Sequence, residues 1–447
     1  MALTGLEIYK LLPQTNCKDC GYPTCLAFAM KLAAKQAELK ACPHVSEAAK
    51  TKLEAASAPP IRLVEIHGED GKLAVGNETV LFRHEKTFYH RPGLFVRLKD
   101  TAGEAAIRAA VAEADAYQAD YVGIALALDG FAIEAASGDS AAFAAAVKAA
   151  RSASKKPLIL MASDPALAKA GLEAAAGTRP LLYAADQANW QAMAEAAKAA
   201  GAPLAVKGSN LDELAELTAS LQGAGLEDLV LDPGAAGHLD SLQQFTMLRR
   251  LAVKKSFRPL GYPLITFPGA DPAADQTLLA AQHIAKYAGF IVLENFDPAT
   301  LYALLVLRQN IYTDPQKPIQ VLPALYEINS PDGNAPLMVT TNFSITYFSV
   351  ANEVEGSGWP AWLMVADAEG MSVLTAWAAG KFDAERIAKA VKAFGVAEKV
   401  GHKRLIIPGQ VAVLSGELEE ELPGWQIMVG PREAVDIAAY LKAMWKE

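Results

Sequence analysis

A short apolar run followed by an Ala-rich segment with helical periodicity recurs eight times between residues 94 and 295, and no other feature constrains the fold so strongly. The runs are LFVRLKD (94–100), YVGIALALD (121–129), PLILMAS (157–163), RPLLYAAD (179–186), PLAVKG (203–208), DLVLDPG (228–234), PLITFP (263–268) and FIVLEN (290–295), and they start 22 to 36 residues apart. A parallel strand buried on both faces reads as a continuous apolar run, and a helical crossover returns the chain to begin the next one. Eight such units in succession predict a TIM (β/α)8 barrel, placed here at residues 93–310.

Barrel chemistry sits at the C-terminal strand ends. There the sequence places Asp100, Asp129, Asp164, Asp186, Lys207, Asp232 and Glu294. They could form an acidic mouth for a substrate, but Asp at such a position more often caps the next helix, as in SDPALAKA. His238 and His283 are isolated and read as surface or packing residues.

With 447 residues the chain has room for about three domains, and the text on either side of the repeats supplies the other two. Residues 1–57 hold all four cysteines, 58–92 read as a linker and 311–324, which carry three prolines, as a second. From 325 to 447 a smaller α/β pattern appears: PLMVTTNFS, PAWLMVAD into GMSVLTAWAAG, a helix at FDAERIAKAVKAFG, RLIIPG, and WQIMVGPREAVDIAAYLKAMW. Strands running straight into helix starts predict a Rossmann/flavodoxin-like sheet, whose carboxyl ends form the ligand crevice. Thr340, Thr341 and Asn342, the turn from Gly370 to Thr375, Gly409 and the stretch from Gly430 to Glu433 fall at those ends. They suit a ligand rich in amides, although Gly and Ser after a strand also serve simply to make the turn.

The cysteine spacing is Cys17-x2-Cys20-x4-Cys25-x16-Cys42, with Pro43 after the last. A disulfide framework would spread along the chain it staples, whereas these four lie within 26 residues. A compact triplet with a remote fourth Cys favours an iron-sulfur cluster over structural zinc, which more often takes two tight pairs, and over cysteines buried in a core. Thr4-x-x-Glu7 predicts a capped helix ending before Pro13, and Thr24 a cap for a second helix that carries Cys25 in its first turn. An unbroken helix from Cys25 to Ala41 would carry the chain roughly 24 Å away, so ligation by Cys42 requires a break near Ala34 to Gln36.

A net charge of −9 and a pI near 5.4 exclude a nucleic-acid partner, which needs clustered Lys and Arg. No segment offers eighteen uninterrupted apolar residues and the N-terminus lacks a signal pattern, so the expectation is a soluble, cytoplasmic chain with no membrane partner.

LTGLEIYKLLPQTNCKDCGYPTCLAFAMKLA with Cys42-Pro43, followed by a barrel and a terminal α/β unit, resembles the large (gamma) subunit of the corrinoid/iron-sulfur protein of the reductive acetyl-CoA (Wood-Ljungdahl) pathway. The resemblance covers the whole chain. It implies a 4Fe-4S cluster on Cys17, Cys20, Cys25 and Cys42, and a cobalamin-type corrinoid contacted by Thr340, Asn342, Thr346, Gly370, Met371, Ser372, Val373, Leu374, Thr375, Gly430, Pro431, Arg432 and Glu433. It also implies a heterodimer with a small subunit, a methyltetrahydrofolate-dependent methyltransferase that methylates the cobalt, and an acetyl-CoA synthase that removes the methyl group. Such a protein is a methyl carrier, a co-substrate of methyl transfer more than an enzyme. Many corrinoid proteins place a His under cobalt from an Asp-x-His-x-x-Gly loop, yet the sole histidine after residue 283 is His402, in EKVGHKRL. This predicts a base-off cofactor with no protein nitrogen below it, whose cobalt(I) state is accessible to a low-potential cluster that reactivates cobalt(II). Two other readings are a barrel methyltransferase that binds the pterin itself and a simple iron-sulfur electron carrier.

Overall fold

The computed structural model describes residues 5–33, 37–46, 49–50, 53, 59–86, 88, 90–121, 124–269, 275–313 and 319–445. The chain divides into two compact units, one of residues 1–117 with 127–312 and the other of 118–126 with 313–447.

In the first unit, β1 (Val64–His67) and β2 (Lys72–Val75) form an antiparallel hairpin within the stretch read as a linker. β3 (Gly93–Lys99) opens the barrel; β4 (Gln118–Tyr121) and β5 (Ile124–Ala127), which belong to the second unit up to residue 126, pair only with each other; and the barrel continues with β6 (Gly130–Glu134), β7 (Leu158–Met161), β8 (Leu181–Ala185), β9 (Leu204–Lys207), β10 (Leu229–Asp232), β11 (Leu264–Thr266) and β12 (Ala288–Leu293). All eight barrel strands are parallel, and β12 closes on β3 through the register Phe290 to Gly93. Every strand contributes to the interior core, through Phe95, Ala132, Ile159, Leu181, Ala205, Val230, Ile265 and Phe290, and β7, β8 and β12 add a second residue each, Met161, Ala184 and Val292. Val64, Ile66, Leu73 and Val75 of the hairpin belong to the same core, which is why that segment is ordered as strands.

The second barrel strand is Gly130–Glu134, not the expected 121–129. A Cβ at position 130 would lie 2.2 Å from the Pro157 carbonyl oxygen and 2.5 Å from the Phe95 ring, so the strand can sit in the barrel only with glycine there. Asp129 lies just before this strand, where its carboxylate accepts the Leu94 N–H at 2.9 Å and pairs with the buried Arg308. It is therefore at the N-terminal end of the barrel and is not a mouth residue.

Two residues beyond the apolar layer, the interior turns polar. Arg97 pairs with Glu294 and lies 3.5 Å from Glu134, while the Tyr183 hydroxyl donates to Asp232 at 2.6 Å. Burial raises the pKa of both Asp232 and Tyr183. Asp164 caps its helix, accepting from Ala166 N at 2.7 Å, and Asp186 accepts from Ala188 N at 2.9 Å, so these two strand-end carboxylates serve turns and helix starts.

His283 is 2% exposed against the Phe245 ring, and neither ring nitrogen has a hydrogen-bond partner among the described residues. Burial holds its pKa down at about 4. The folded state thus keeps it neutral while the unfolded chain protonates it below about pH 6.5, so stability is full above that pH and falls as pH drops toward 4. The loss amounts to roughly 2–3 kcal/mol across the window. His283→Leu should flatten the decline of the urea midpoint between about pH 7 and 5; an unchanged slope would mean that other groups carry the acid sensitivity.

In the second unit, β13 (Ala324–Ile328), β14 (Leu337–Thr341), β15 (Ala361–Ala366), β16 (Arg404–Ile407) and β17 (Gln426–Val429) form one sheet in the order β13-β15-β14-β16-β17. Only β13 is antiparallel to its neighbour. The parallel part is a flavodoxin-like order, as expected, with its switch point between β14 and β16. β15 is buried at every position, consistent with helices on both faces. Tyr121 of the β4–β5 hairpin packs with Ile319, Tyr326 and Tyr347 in this unit's core.

Candidate functional sites

The N-terminal site begins with two helices, Gly5–Leu11 and Cys25–Ala33, joined by a loop in which Gln14, Asn16, Lys18 and Gly21 all have positive φ. Three of these are not glycine, so the loop is bent sharply at some conformational cost. Asn16 fixes the bend by accepting the Cys25 N–H at 2.8 Å, and Thr24 Oγ1 accepts the Ala27 N–H at 3.0 Å, the expected cap. Thr4, the expected cap of the first helix, lies outside the described residues.

All four cysteines are free thiols: Cys17 exposed, Cys20 and Cys42 half-buried, Cys25 buried. Cys20, Cys25 and Cys42 share one apolar cluster with Ile8, Leu12, Phe28, Ala29 and Leu53. The expected break in the helix at 34–36 falls outside the described residues. On its far side, however, Glu38 is extended (φ −104°, ψ 139°) and only the single 3-10 turn Leu39–Ala41 precedes Cys42. The chain therefore approaches Cys42 without a continuous helix, as ligation by all four thiols requires. Thiols gathered from two sequence segments into one apolar cluster fit an iron-sulfur cluster in donor type and in shielding. At the exposed edge, Asp19 meets His44 at 2.6 Å, and hydrogen bonds from His44 first and Cys17 second hold its carboxyl below the usual range.

The second site lies at the switch point of the C-terminal sheet. There a crevice of about 630 Å³ opens over the ends of β14 and β16. Thr340, Thr346, Ser372, Val373, Leu374, Gly430, Pro431, Arg432 and Glu433 line it. Thr340 is 1% exposed, and its hydroxyl and that of Thr341 have no hydrogen-bond partner among the described residues. Buried hydroxyls left unpaired are costly, and one that lines a crevice is a fitting donor for a ligand amide. Ile345, Leu374 and Val435 form an apolar, exposed rim, which a bulky ligand or partner would cover. Gly430 is required by close approach, since a Cβ there would lie 2.9 Å from Ile406 and 3.0 Å from the Ile407 carbonyl. The residues thus fit a large ligand with both apolar and amide surface.

Asn342, Gly370, Met371 and Thr375 do not line the crevice. Asn342 is buried and spends its whole amide internally: Oδ1 accepts from Ala368 N (2.9 Å) and Gly370 N (3.0 Å), while Nδ2 donates to Gln320 (3.2 Å) and Asp367 (3.1 Å). It shapes the turn that presents Ser372 to Leu374. Gly370 holds φ +73° against the Gln320 side chain, Met371 packs on the core, and Thr375 bonds Ser372 at 3.0 Å.

His402 sits at the opposite, N-terminal end of the parallel strands, beside the start of β16. Its Nε2 lies 2.9 Å from the Ala335 carbonyl and its Nδ1 accepts the Arg404 N–H at 3.2 Å, so both nitrogens are engaged, and Trp445 stacks edge-on at 4.9 Å. Burial lowers its pKa.

Residues 64–441 match the family described as CO dehydrogenase/acetyl-CoA synthase delta subunit, and residues 12–44 a family described as an Fe-S cluster. The corrinoid/iron-sulfur protein large subunit of Moorella thermoacetica is 46% identical over 99% of this chain and 99% of its own length. The chain belongs to the corrinoid/iron-sulfur protein large-subunit family. The acetyl-CoA decarbonylase/synthase complex subunit gamma 1 of Methanosarcina mazei is 35% identical over 98% of both chains, and the gamma subunit of Methanopyrus kandleri 34% over 98% of this chain and 97% of its own. The first family model begins after the cysteines, whereas the matches to these large and gamma subunits cover nearly the whole chain.

Ile345 lies inside the Thr340 to Thr346 stretch that the resemblance implied, whereas several other crevice residues escaped sequence reasoning: Ser349, Asn352 and Glu353 on the helix Ser344–Ser357, and Pro408, Gln410 and Val435 at the later strand ends. The helix offered one signal, since 345, 349 and 352–353 recur at helical spacing while mixing apolar and polar residues on a single stripe. No helix among the described residues is long and apolar enough to cross a membrane.

Proposed function

We propose that this chain is the cofactor-bearing subunit of a cytoplasmic methyl carrier. A cobalamin-type corrinoid is held in the switch-point crevice, supplying the cobalt that accepts and donates the methyl group. A 4Fe-4S cluster on Cys17, Cys20, Cys25 and Cys42 supplies low-potential electrons. The partners are a small subunit completing a heterodimer, a methyltetrahydrofolate-dependent methyltransferase as methyl source and an acetyl-CoA synthase as acceptor.

The observation that carries this reading is the crevice itself, where nine of the thirteen expected contact residues meet under an exposed apolar rim. Thr340 and Ser372 offer hydroxyls to the ligand's amides, Arg432 and Glu433 flank its edge, and Ile345, Leu374 and Val435 exclude water from one side. His402 supports a base-off mode, because both of its nitrogens are occupied at the N-terminal strand ends, away from the crevice. In the N-terminal module, Asn16 and Thr24 hold the Cys25 end of the helix in place, with Cys20, Cys25 and Cys42 in one apolar cluster and Cys17 on the exposed side of the loop.

Removing residues 1–57 from the chain, coexpressed with its small subunit, tests the division of labour. The corrinoid spectrum should persist and reductive rescue of oxidised protein should disappear. A folded, paired protein that emerges without corrinoid would overturn the placement of the two sites.

A further inference from the structure

Beside the thiol pocket, three different donor types meet at the surface of the N-terminal module. Cys17 Sγ, a carboxylate oxygen of Asp19 and a ring nitrogen of His44 lie within 4.8 Å of one another, and all three residues are exposed. They come from two segments: Cys17 and Asp19 flank Lys18, whose left-handed φ of 69° turns the loop, and His44 follows the distant Cys42-Pro43. The Asp19 Oδ2 to His44 Nε2 contact of 2.6 Å orients the imidazole.

Metal-to-ligand bonds of about 2.0 to 2.3 Å put the donors of a tetrahedral divalent ion roughly 3.3 to 3.8 Å apart, so within this trio the Asp19–His44 hydrogen bond would open by roughly 1 Å as the ion takes the place of the shared proton, and Cys17 would close on it by a similar amount. The donors are one thiolate, one imidazole and one carboxylate, a set that suits borderline-soft ions of the zinc class and not Mg2+ or Ca2+. Three protein ligands leave a fourth position for water, and exposure provides the entry path.

We propose that Cys17, Asp19 and His44 bind one zinc-class divalent cation whenever Cys17 is not engaged by the cluster, so that divalent binding and cluster assembly compete for the same thiolate. The competition, though not the binding itself, rests on Cys17 being a cluster ligand as proposed above. Before assembly the cation would hold Cys17 as a coordinated thiolate, and it must leave for the cluster to form.

The test uses the full chain, stripped of cluster anaerobically by a chelator and titrated with Co2+ as the spectroscopic probe. One equivalent should bind, with thiolate-to-cobalt charge transfer and tetrahedral ligand-field bands. His44→Ala and Asp19→Asn should each weaken binding by about tenfold or more, while the visible absorption of the reassembled cluster stays intact. Cys20→Ala should keep Co2+ binding and lose the cluster. Co2+ affinity unchanged in the His44 and Asp19 variants but lost with Cys20→Ala would overturn the proposal, because the cysteines alone would then hold the ion. Equal Co2+ affinity in cluster-loaded protein would overturn the competition. A wild-type chain that binds Co2+ through this trio yet never assembles a cluster would support the site while refuting the iron-sulfur reading.

Discussion

Replacing Cys20 with Ala should abolish cluster assembly and with it the recovery of oxidised protein by a low-potential electron donor, while methyl transfer continues once the cobalt is reduced chemically. The expectation follows from the geometry of each site taken separately. Cys20 packs with Cys25 and Cys42 in the apolar cluster of the N-terminal module, and the proposed corrinoid crevice is built wholly from residues between 338 and 437. If the four cysteines hold a 4Fe-4S cluster as proposed, removing one thiolate leaves one iron corner without a protein ligand, and neighbouring hydrogen bonds cannot replace it. The check is a methyl-transfer assay on variant and wild type, each with and without a chemical reductant. If transfer vanished in the variant with corrinoid still bound and cobalt reduced, the cluster would have a part in the transfer itself, and its role as a reactivation device would be wrong.

The complementary change fills the crevice. Ser349 lies on the stripe of the helix Ser344–Ser357 that lines the crevice, is exposed, and bonds only its own helix, at the Ile345 carbonyl (2.8 Å). Ser349→Trp adds a large ring to the cavity without disturbing the sheet beneath. Corrinoid content should fall about tenfold or more, since the added ring would occupy crevice space that a bulky ligand needs, and the iron content should not change. Cobalt and iron measured on the same preparation decide it. Full cobalt occupancy in the variant would place the corrinoid elsewhere.

Much of this architecture is legible in the chain because buried parallel strands announce themselves as apolar runs, and seven of the eight barrel strands fall where those runs lie. The exception is informative. YVGIALALD is the more apolar text, but an apolar run does not say which core it serves: Tyr121 packs with Tyr326 and Tyr347 of the second unit, and the barrel takes the shorter GFAIE instead. What admits GFAIE is the absence of a side chain at Gly130, a steric fact that no hydropathy pattern records. The β1–β2 hairpin could have been read, since Val64 and Ile66 alternate with Glu65 and His67, and Leu73 and Val75 with Lys72 and the small Ala74, around a Gly-containing turn.

At the crevice, the strand-end rule located the neighbourhood but could not sort its members. Asn342 looks like an amide-binding residue in sequence, yet its four hydrogen bonds go to Ala368, Gly370, Gln320 and Asp367, partners that only the folded turn brings near. The stripe from Ser349 to Glu353 was missed for the opposite reason: its mixed composition resembles an ordinary helix surface until β14 and β16 place the crevice beneath it. The cysteines needed no fold to be noticed, but their gathering depends on Asn16 and on the non-helical approach through Glu38, which spacing alone does not reveal.

The most direct test of a chain that joins a corrinoid crevice to a four-thiol module is elemental and optical analysis of the full-length protein, purified without oxygen together with its small subunit. The account predicts about one cobalt and about four iron per chain, with corrinoid bands superimposed on iron-sulfur absorption. Iron without cobalt, in a folded heterodimer supplied with corrinoid, would contradict it.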